Sequence, residues 1–309
     1  MTIRRVPFDE IPQSLRDELT SAGLDAGEVY DAVELALDED LPSAAPGDMP
    51  SEDVTSVATI APDSTGIGVF AAREDGVVAG LGVAELVFAY VMGDHVTVTD
   101  RVKDGSKVKA GDVIMRIAGP TRGLLTAERT ALNYASHLSG VATGVAAWTE
   151  ALEGTGAQVL DTRKTLPGFR ALEKYAVRCG GGANHRMSLS DMALVKDNHI
   201  VAAGGAVQAY EAVKFAYPDV PIEVEVTTLE ELKALLDAGC GRIMLDNMST
   251  AMMKEAVEIT AGRAVLEASG GLTLDRAREV AETGVDYLSV GALTHSVKVF
   301  DIGFDLSEG

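Results

Sequence analysis

The chain opens with two stretches whose apolar positions recur at helical spacing. DEIPQSLRDELTSAG (9–23) and AGEVYDAVELALDED (26–40) each set an apolar stripe against acids, which predicts two short acidic helices. LPSAAPGDMPSED (41–53) lacks periodicity and is rich in Pro, Gly and Ser, so it predicts a loop. Between Val54 and Val78 apolar and small residues alternate and turns recur, so SVATI (56–60) and TGIGVFAARED (65–75) predict strands. GLGVAELVFAYV (80–91) predicts a helix. HVTVTDRVKDGSKVKAGDVIMRIAGP (95–120) predicts strands around the turn signals Asp104-Gly105 and Ala110-Gly111-Asp112. This half is expected to be an α+β unit with an antiparallel sheet. TAERTALNYASHLSGVATGVAAWTEALEG (126–154) then has no proline and carries small residues at helical spacing, which predicts closely packed helix starting at Thr126.

From Gln158 onward the pattern changes again. Short apolar runs QVLD, MALVKD, PIEVEV, GRIMLD, RAVLEAS and VDYLSVG are followed mostly by amphipathic helices such as LEELKALLDAG and TAMMKEAVEITAG. Repeating β and α segments imply a parallel sheet, open or closed into a barrel. Functional-looking residues at several strand ends favour the barrel, where active groups gather at the C-terminal mouth. The expected fold is therefore α/β: an N-terminal α+β open sandwich over 1–125, then an incomplete α/β barrel over 126–309. The barrel has six strands, or seven if DIGFDL (301–306) joins it; the alternative is that this tail joins the N-terminal domain.

Composition narrows the function. The chain has 309 residues, 47% of them hydrophobic, enough for two cores, and a formal charge of −21. That charge argues against nucleic acid or an anionic membrane as partner. No stretch has the length and apolarity of a transmembrane span, and Cys179 and Cys240 form no CxxC, so a cytoplasmic protein with reduced thiols is expected.

Against that acidity, residues 161–200 stand out. Seven cations (Arg163, Lys164, Arg170, Lys174, Arg178, Arg186, Lys196) face four acids, a local net of +3. Arg forks suit carboxylates and phosphates, and Lys acts as a point charge for phosphate. A solvated helix face accounts only for ALEKYAVR in the middle. The flanking DTRKT and NHR lie in Gly- and Pro-rich segments, so an anion site is expected there. Arg129, placed in the first turn of a helix capped by Thr126, opposes the helix dipole and hints at a ligand. Asn133, His137 and Ser139 read as packing or capping groups. Glu225 and Asp246 end neighbouring strands and suit Mg²⁺ carried by a phosphate ligand. Ser269-Gly270-Gly271 and the loop holding Gly291 offer backbone N–H groups for phosphate. There is no GxGxxG or P-loop, so dinucleotides and ATP find no support.

These segments together resemble the quinolinate phosphoribosyltransferase family. The matching stretches are ERTALNYASHLSGVAT (128–143), DTRKTLPGFRALEKYAVRCGGGANHR (161–186), LVKDNHI (194–200), IEVEV (222–226), IMLDNM (243–248), EASGGL (267–272) and GVDYLSVGALTHS (284–296), with DVTS (53–56) and GVVAGLGVAELVF (76–88) upstream. Ser188 stands where the family usually has Gly, and the segment around SAAPGDMPS looks inserted. The resemblance implies transfer of phosphoribosyl from phosphoribosyl pyrophosphate (PRPP) to quinolinate, with loss of CO₂, giving nicotinate mononucleotide for NAD biosynthesis. It implies Arg129, Arg163, His185, Arg186 and Lys196 around the dicarboxylate. Lys164, Glu225, Asp246, Ser269, Gly270, Gly271, Gly291 and His295 would surround PRPP. Glu225, Asp246, Lys164 and Lys196 would carry the catalytic charge, with Mg²⁺ at Glu225 and Asp246, directly or through water. It further implies a homodimer in which Arg129 crosses to the neighbouring barrel. The competing readings are a nicotinate-using transferase, a molybdenum-associated relative of the same fold, and a non-catalytic anion binder. The five basic groups, the intact DTRKT and NHR motifs, and the paired acids disfavour these in turn.

Overall fold

The computed structural model describes residues 4–42 and 51–308. In chain order the elements are α1 (Gln13–Ser21), α2 (Ala26–Asp40), α3 (Val54–Thr59), β1 (Thr65–Ala72), β2 (Gly76–Val77), α4 (Leu81–Met92), β3 (Thr97–Arg101), β4 (Lys107–Val108), β5 (Val113–Pro120) and α5 (Thr121–Ala151). They continue with β6 (Gln158–Leu160), α6 (Arg170–Cys179), β7 (Ala193–Val195), α7 (Asp197–Ala203), α8 (Ala206–Ala216), β8 (Ile222–Val226), α9 (Leu229–Asp237) and β9 (Arg242–Asp246). Last come α10 (Thr250–Thr260), β10 (Val265–Ser269), α11 (Ala277–Ala281), β11 (Tyr287–Ser289), α12 (Ala292–His295) and β12 (Ile302–Glu308). No described helix is long and apolar enough to cross a membrane.

These elements form two compact units. One holds residues 1–143, 171–180 and 297–309; the other holds 144–170 and 181–296. The expected break at 125/126 falls inside α5.

The first unit is built on an antiparallel sheet in the order β12-β1-β5-β3. One face of β1 is buried at every second residue, and Phe70 on it meets Phe88 of α4 edge-on at 5.9 Å. All the residues of α4 except Glu85 are buried, so its N-terminus cannot rely on water. Asp104 supplies the cap, accepting from the N–H groups of Gly80 (2.7 Å) and Leu81 (3.1 Å) and from the Tyr175 hydroxyl (2.7 Å). The tail 302–308 is thus a strand of this sheet and not a seventh barrel strand.

Three local expectations are corrected. Residues 54–59 are helical, because Asp53 caps them through the Ser56 N–H (3.0 Å) and hydroxyl (2.5 Å). Helix α5 starts at Thr121, directly after β5. Gly123 does not break it; the glycine makes room for Met92, whose atoms would lie 2.5 Å from an added Cβ. Arg129 is therefore roughly two turns inside the helix, and the dipole argument for it does not hold. Helix α6 is not a solvated face either: Leu172, Glu173, Lys174, Ala176 and Val177 are buried, and Glu173 pairs with His137 at 2.8 Å. His137 and Ser139, which bonds Ala79, are packing groups as read from sequence. The loop predicted at 41–53 lies largely outside the described residues.

The second unit is a six-stranded parallel sheet in the order β6-β11-β10-β9-β8-β7. Sequential neighbours pair, and the last strand pairs with the first, which is barrel connectivity with one unpaired seam between β6 and β7. Residues 181–186 run along that seam. Ala183 bridges Leu160 in parallel fashion, and the buried Asp161 carboxylate accepts from the His185 N–H (2.9 Å) and the Asn184 amide (2.6 Å). The first and last parts of the basic stretch are thereby tied together.

Candidate active site

Strand alternation builds the site. On β8, Val224 and Val226 are buried toward the helices, while Glu223 and Glu225 take the opposite face. On β9 the opposite face carries Arg242, Met244 and Asp246; on β10, Glu267 and Ser269; on β11, Tyr287 and Ser289. From these faces Glu225, Met244, Asp246, Glu267, Ser269 and Ser289 line a cavity of about 690 Å³ toward the carboxyl ends of the strands. Its walls include Arg163, Lys164, His185, Arg186, Lys196, Glu225, Asp246, Ser269, Gly270, Gly271, Gly291 and His295. Arg129 alone of the expected residues is elsewhere. It is exposed on α5, in the first unit, beside a separate cavity of about 500 Å³.

The cationic wall is crowded and underused. Arg163 Nε is buried without a hydrogen-bond partner. Among the described residues the Arg186 guanidinium bonds the Met192 carbonyl alone, through Nη1 (3.0 Å), and burial together with the Arg163 charge pulls its pKa down. Arg170 is structural: its guanidinium reaches the Thr165 hydroxyl (3.1 Å) and the Met187 carbonyl (3.2 Å). Ser188 is accommodated without strain, since its φ is not positive. Its N–H and hydroxyl both bond Asp191 Oδ1 at 3.0 Å.

The acidic wall lies across the mouth. Burial and the neighbouring Asp246 raise the pKa of Glu225, and Lys196 at 3.7 Å opposes them. A carboxylate whose ionisation is hindered by burial and by a neighbouring acid is a fitting place for a divalent cation. Two protein oxygens leave most of an octahedral shell to phosphate oxygens and water, as Mg²⁺ prefers.

The glycine loops differ in what they need. Gly270 (φ +93°) and Gly271 (φ +60°) require the left-handed region, and a Cβ on Gly270 would meet the Asn247 side chain at 2.4 Å. Gly291 needs space instead, because Lys164 passes 2.8 Å from its would-be Cβ. The Thr294 hydroxyl fixes the Lys164 carbonyl at 2.8 Å.

Sequence reasoning missed Asn247 and the buried set Glu223, Arg242 and Glu267. Asn247 (φ +52°) donates its amide to Asp246 Oδ2 at 2.7 Å and leans on Gly270, joining the acid to the glycine loop. The signal for the buried set was in IEVEV: Glu223, between Ile222 and Val224 of a doubly covered strand, must have a cation nearby, and the arginine of GRIMLD starts the next strand.

Fold and cavity together define an α/β-barrel enzyme that handles a polyanionic substrate. The match to known proteins is specific. Residues 53–139 match the quinolinate phosphoribosyl transferase N-terminal domain and residues 141–305 the C-terminal domain of the same family. Nicotinate-nucleotide pyrophosphorylase [carboxylating] of Mycobacterium leprae is 49% identical over 280 residues, covering 89% of this chain and 96% of that one. The structure of NadC from Streptococcus pyogenes superposes with a TM-score of 0.85 at 39% identity, covering 91% and 96% of the two chains. Nicotinate-nucleotide pyrophosphorylase from Francisella tularensis gives 0.84 at 35% identity, with 99% of each chain covered. The chain belongs to the quinolinate phosphoribosyltransferase family.

Proposed function

We propose that the chain joins quinolinate to PRPP, releasing pyrophosphate and CO₂ and forming nicotinate mononucleotide in the de novo route to NAD. The observation that carries this reading is the Arg163–Arg186 pair. Two guanidiniums share a partly buried wall, one with an unpartnered Nε, and a dicarboxylate satisfies both at once. A monocarboxylate such as nicotinate leaves one unmatched.

In this reading Arg163 and Arg186 grip the carboxylates, Lys196 adds charge, and His185 shapes the wall without spare ring nitrogens. Its Nδ1 accepts from the Arg186 N–H (2.7 Å) and its Nε2 faces Glu223 (2.9 Å). This pose turns the pyridine nitrogen toward the acidic wall. There Glu225 and Asp246 stabilise the positive charge that develops on the ribose as pyrophosphate departs. Lys164 and Lys196 attract the diphosphate, and Ser269, Gly270, Gly271, Gly291 and His295 receive the 5′-phosphate through backbone N–H and side-chain donors. Glu225 and Asp246 would hold Mg²⁺, which when bound neutralises charge on the pyrophosphate. Once the ring nitrogen is cationic it stabilises the electron pair left at C2 when CO₂ departs, so positioning is the protein's main task. Arg129 is proposed to complete the dicarboxylate site of a second copy across a two-fold axis. The proposed compartment is the cytoplasm, in keeping with two free cysteines.

The test is release of CO₂ from quinolinate labelled at the 2-carboxylate. It should require PRPP and Mg²⁺, and pyrophosphate release, which both substrates would give, should fail with nicotinate in place of quinolinate. Turnover of nicotinate at a comparable rate would reject the dicarboxylate reading.

A further inference from the structure

The two segments that carry the guanidinium wall are tied together at both ends. At the inner end, Asp161 accepts from the Asn184 amide (2.6 Å) and the His185 N–H (2.9 Å). At the outer end, Arg170 reaches both segments. Its Nε donates to the Thr165 hydroxyl (3.1 Å) and its Nη1 to the Met187 carbonyl (3.2 Å), while its Nη2 lies 3.5 Å from the Arg163 carbonyl. Asp191 Oδ2 holds Met187 from the other side, accepting from its N–H at 2.6 Å. Arg163 thus lies between Asp161 and Thr165, and Arg186 between His185 and Met187. Each wall arginine has a tie before it and a tie after it.

Arg170 itself stands outside the cavity lining. Among the described residues no carboxylate pairs with it, and its three neighbours are neutral oxygens. Its place is unfavourable taken alone: it is the first residue of α6, where the helix dipole opposes a cation. Reaching three separate acceptors needs the planar fork of a guanidinium, which an ammonium group lacks. The wall it borders also needs holding. Burial and then the Arg163 charge lower the Arg186 pKa, a sign that the two cations repel. A frame that resists this repulsion before the substrate arrives leaves less ordering to be done on binding.

Taking the proposed reaction as given, we propose that Arg170 is a positioning residue that closes the outer end of this frame and sets the separation of Arg163 and Arg186. It thereby selects an acid whose two carboxylates stand on adjacent ring atoms. It acts through the two wall arginines and touches no substrate atom.

The test uses the whole chain carrying Arg170→Ala, Arg170→Lys or Thr165→Val. Calorimetric titration gives the quinolinate Kd, and PRPP-dependent CO₂ release gives kcat and the KM for PRPP. Misplacement by about 1 Å can cost about 100-fold, so Arg170→Ala should raise the quinolinate Kd by about 10-fold or more. Its kcat at saturating quinolinate and its KM for PRPP should stay within about threefold of wild type. Arg170→Lys keeps the charge but loses the fork, so it should bind within about threefold of the alanine variant. Thr165→Val removes one acceptor and leaves Arg170 in place; it should weaken quinolinate by about threefold, and it carries the same test if the alanine chain fails to fold. Phthalate, with adjacent carboxylates, and isophthalate, with carboxylates one ring atom further apart, read the spacing itself, since neither has a ring nitrogen to react. The preference for phthalate should fall by about fivefold or more in Arg170→Ala, a change that a merely structural role does not produce. Wild-type quinolinate affinity in Arg170→Lys, an unchanged phthalate preference, or a KM for PRPP that rises in step with the quinolinate Kd overturns the frame and leaves the reaction standing. A wild-type chain that releases no CO₂ overturns the reaction, and this assignment with it.

Discussion

Replacing Arg163 with alanine separates binding from stability in a way the structure makes quantitative. The residue has a buried, unpartnered Nε and sits beside the Arg186 cation. A substrate carboxylate turns that deficit into a charge-assisted contact of about 1.5–3 kcal/mol. Its loss should weaken quinolinate binding by about 10- to 150-fold. The ligand-free protein should move the other way or stay level. An unsatisfied buried donor costs about 1–3 kcal/mol. Because Arg163 is only partly buried, and its stem contributes packing, relief at the low end is expected, up to about 1 kcal/mol. Lysine should recover little affinity, since it retains charge but lacks the planar fork. Calorimetric titration with quinolinate gives the affinity, and denaturant unfolding without ligand gives the stability. An alanine variant that binds within about twofold of wild type refutes the assignment of Arg163 to the dicarboxylate.

Further outcomes follow from other parts of the site. Glu225→Gln or Asp246→Asn should lower kcat far more than quinolinate affinity, and wild-type turnover at saturating PRPP and Mg²⁺ would demote both to strand-end caps. Gly270→Ala combines a left-handed backbone with a clash against Asn247, so it should disturb the Asp246 contact and raise the KM for PRPP with little change in quinolinate Kd, both read by steady-state kinetics and titration. Mixing inactive Arg129→Ala and Lys164→Ala chains should restore one intact site per heterodimer; activity that stays at background once heterodimers are verified refutes the shared site. Asp191 experiences burial that raises its pKa, but the Met187 and Ser188 N–H groups and the Ser188 hydroxyl outweigh it and hold it at about 2, below the usual 3.8. Its depressed pKa means the 187–191 turn is supported above pH 3.8 and released as pH falls toward about 2, so Met187 and Ser188 amide shifts should move in that window and not in Asp191→Asn.

The barrel was legible because each of its strands is a short apolar run with a helix-period segment or a basic loop after it. The cavity residues were legible because a charge at the end of a buried strand is costly unless a ligand or a counter-charge meets it. Two kinds of feature were hidden. One is tertiary override: Gly123 looks like a break after β5, and only the proximity of Met92 turns it into a packing glycine inside a continuous helix. SVATI alternates like a strand, but one capping aspartate just before it decides for helix. The other is compensation between strands. Glu223 and Glu267 are unreadable one strand at a time, because their partner Arg242 lies on the strand between them. Asn247 is hidden for a third reason: its role depends on a left-handed backbone and on a glycine 23 positions away.

The pairing of β12 with β1 has a consequence for how the chain is made. Ala72 finds its partner at Ile302, and Ile67 at Ser307. At ribosomal speeds of about 5–20 residues per second, the edge of β1 waits roughly 10–50 seconds for that partner to be synthesised. During that interval the barrel residues 144–296 emerge in full, so the parallel sheet can close before the antiparallel one is complete. The unit that holds β1 gains this strand only after the other unit has been synthesised. Until residues 302–308 are made, β1 presents an open strand edge of the kind that invites pairing with another chain.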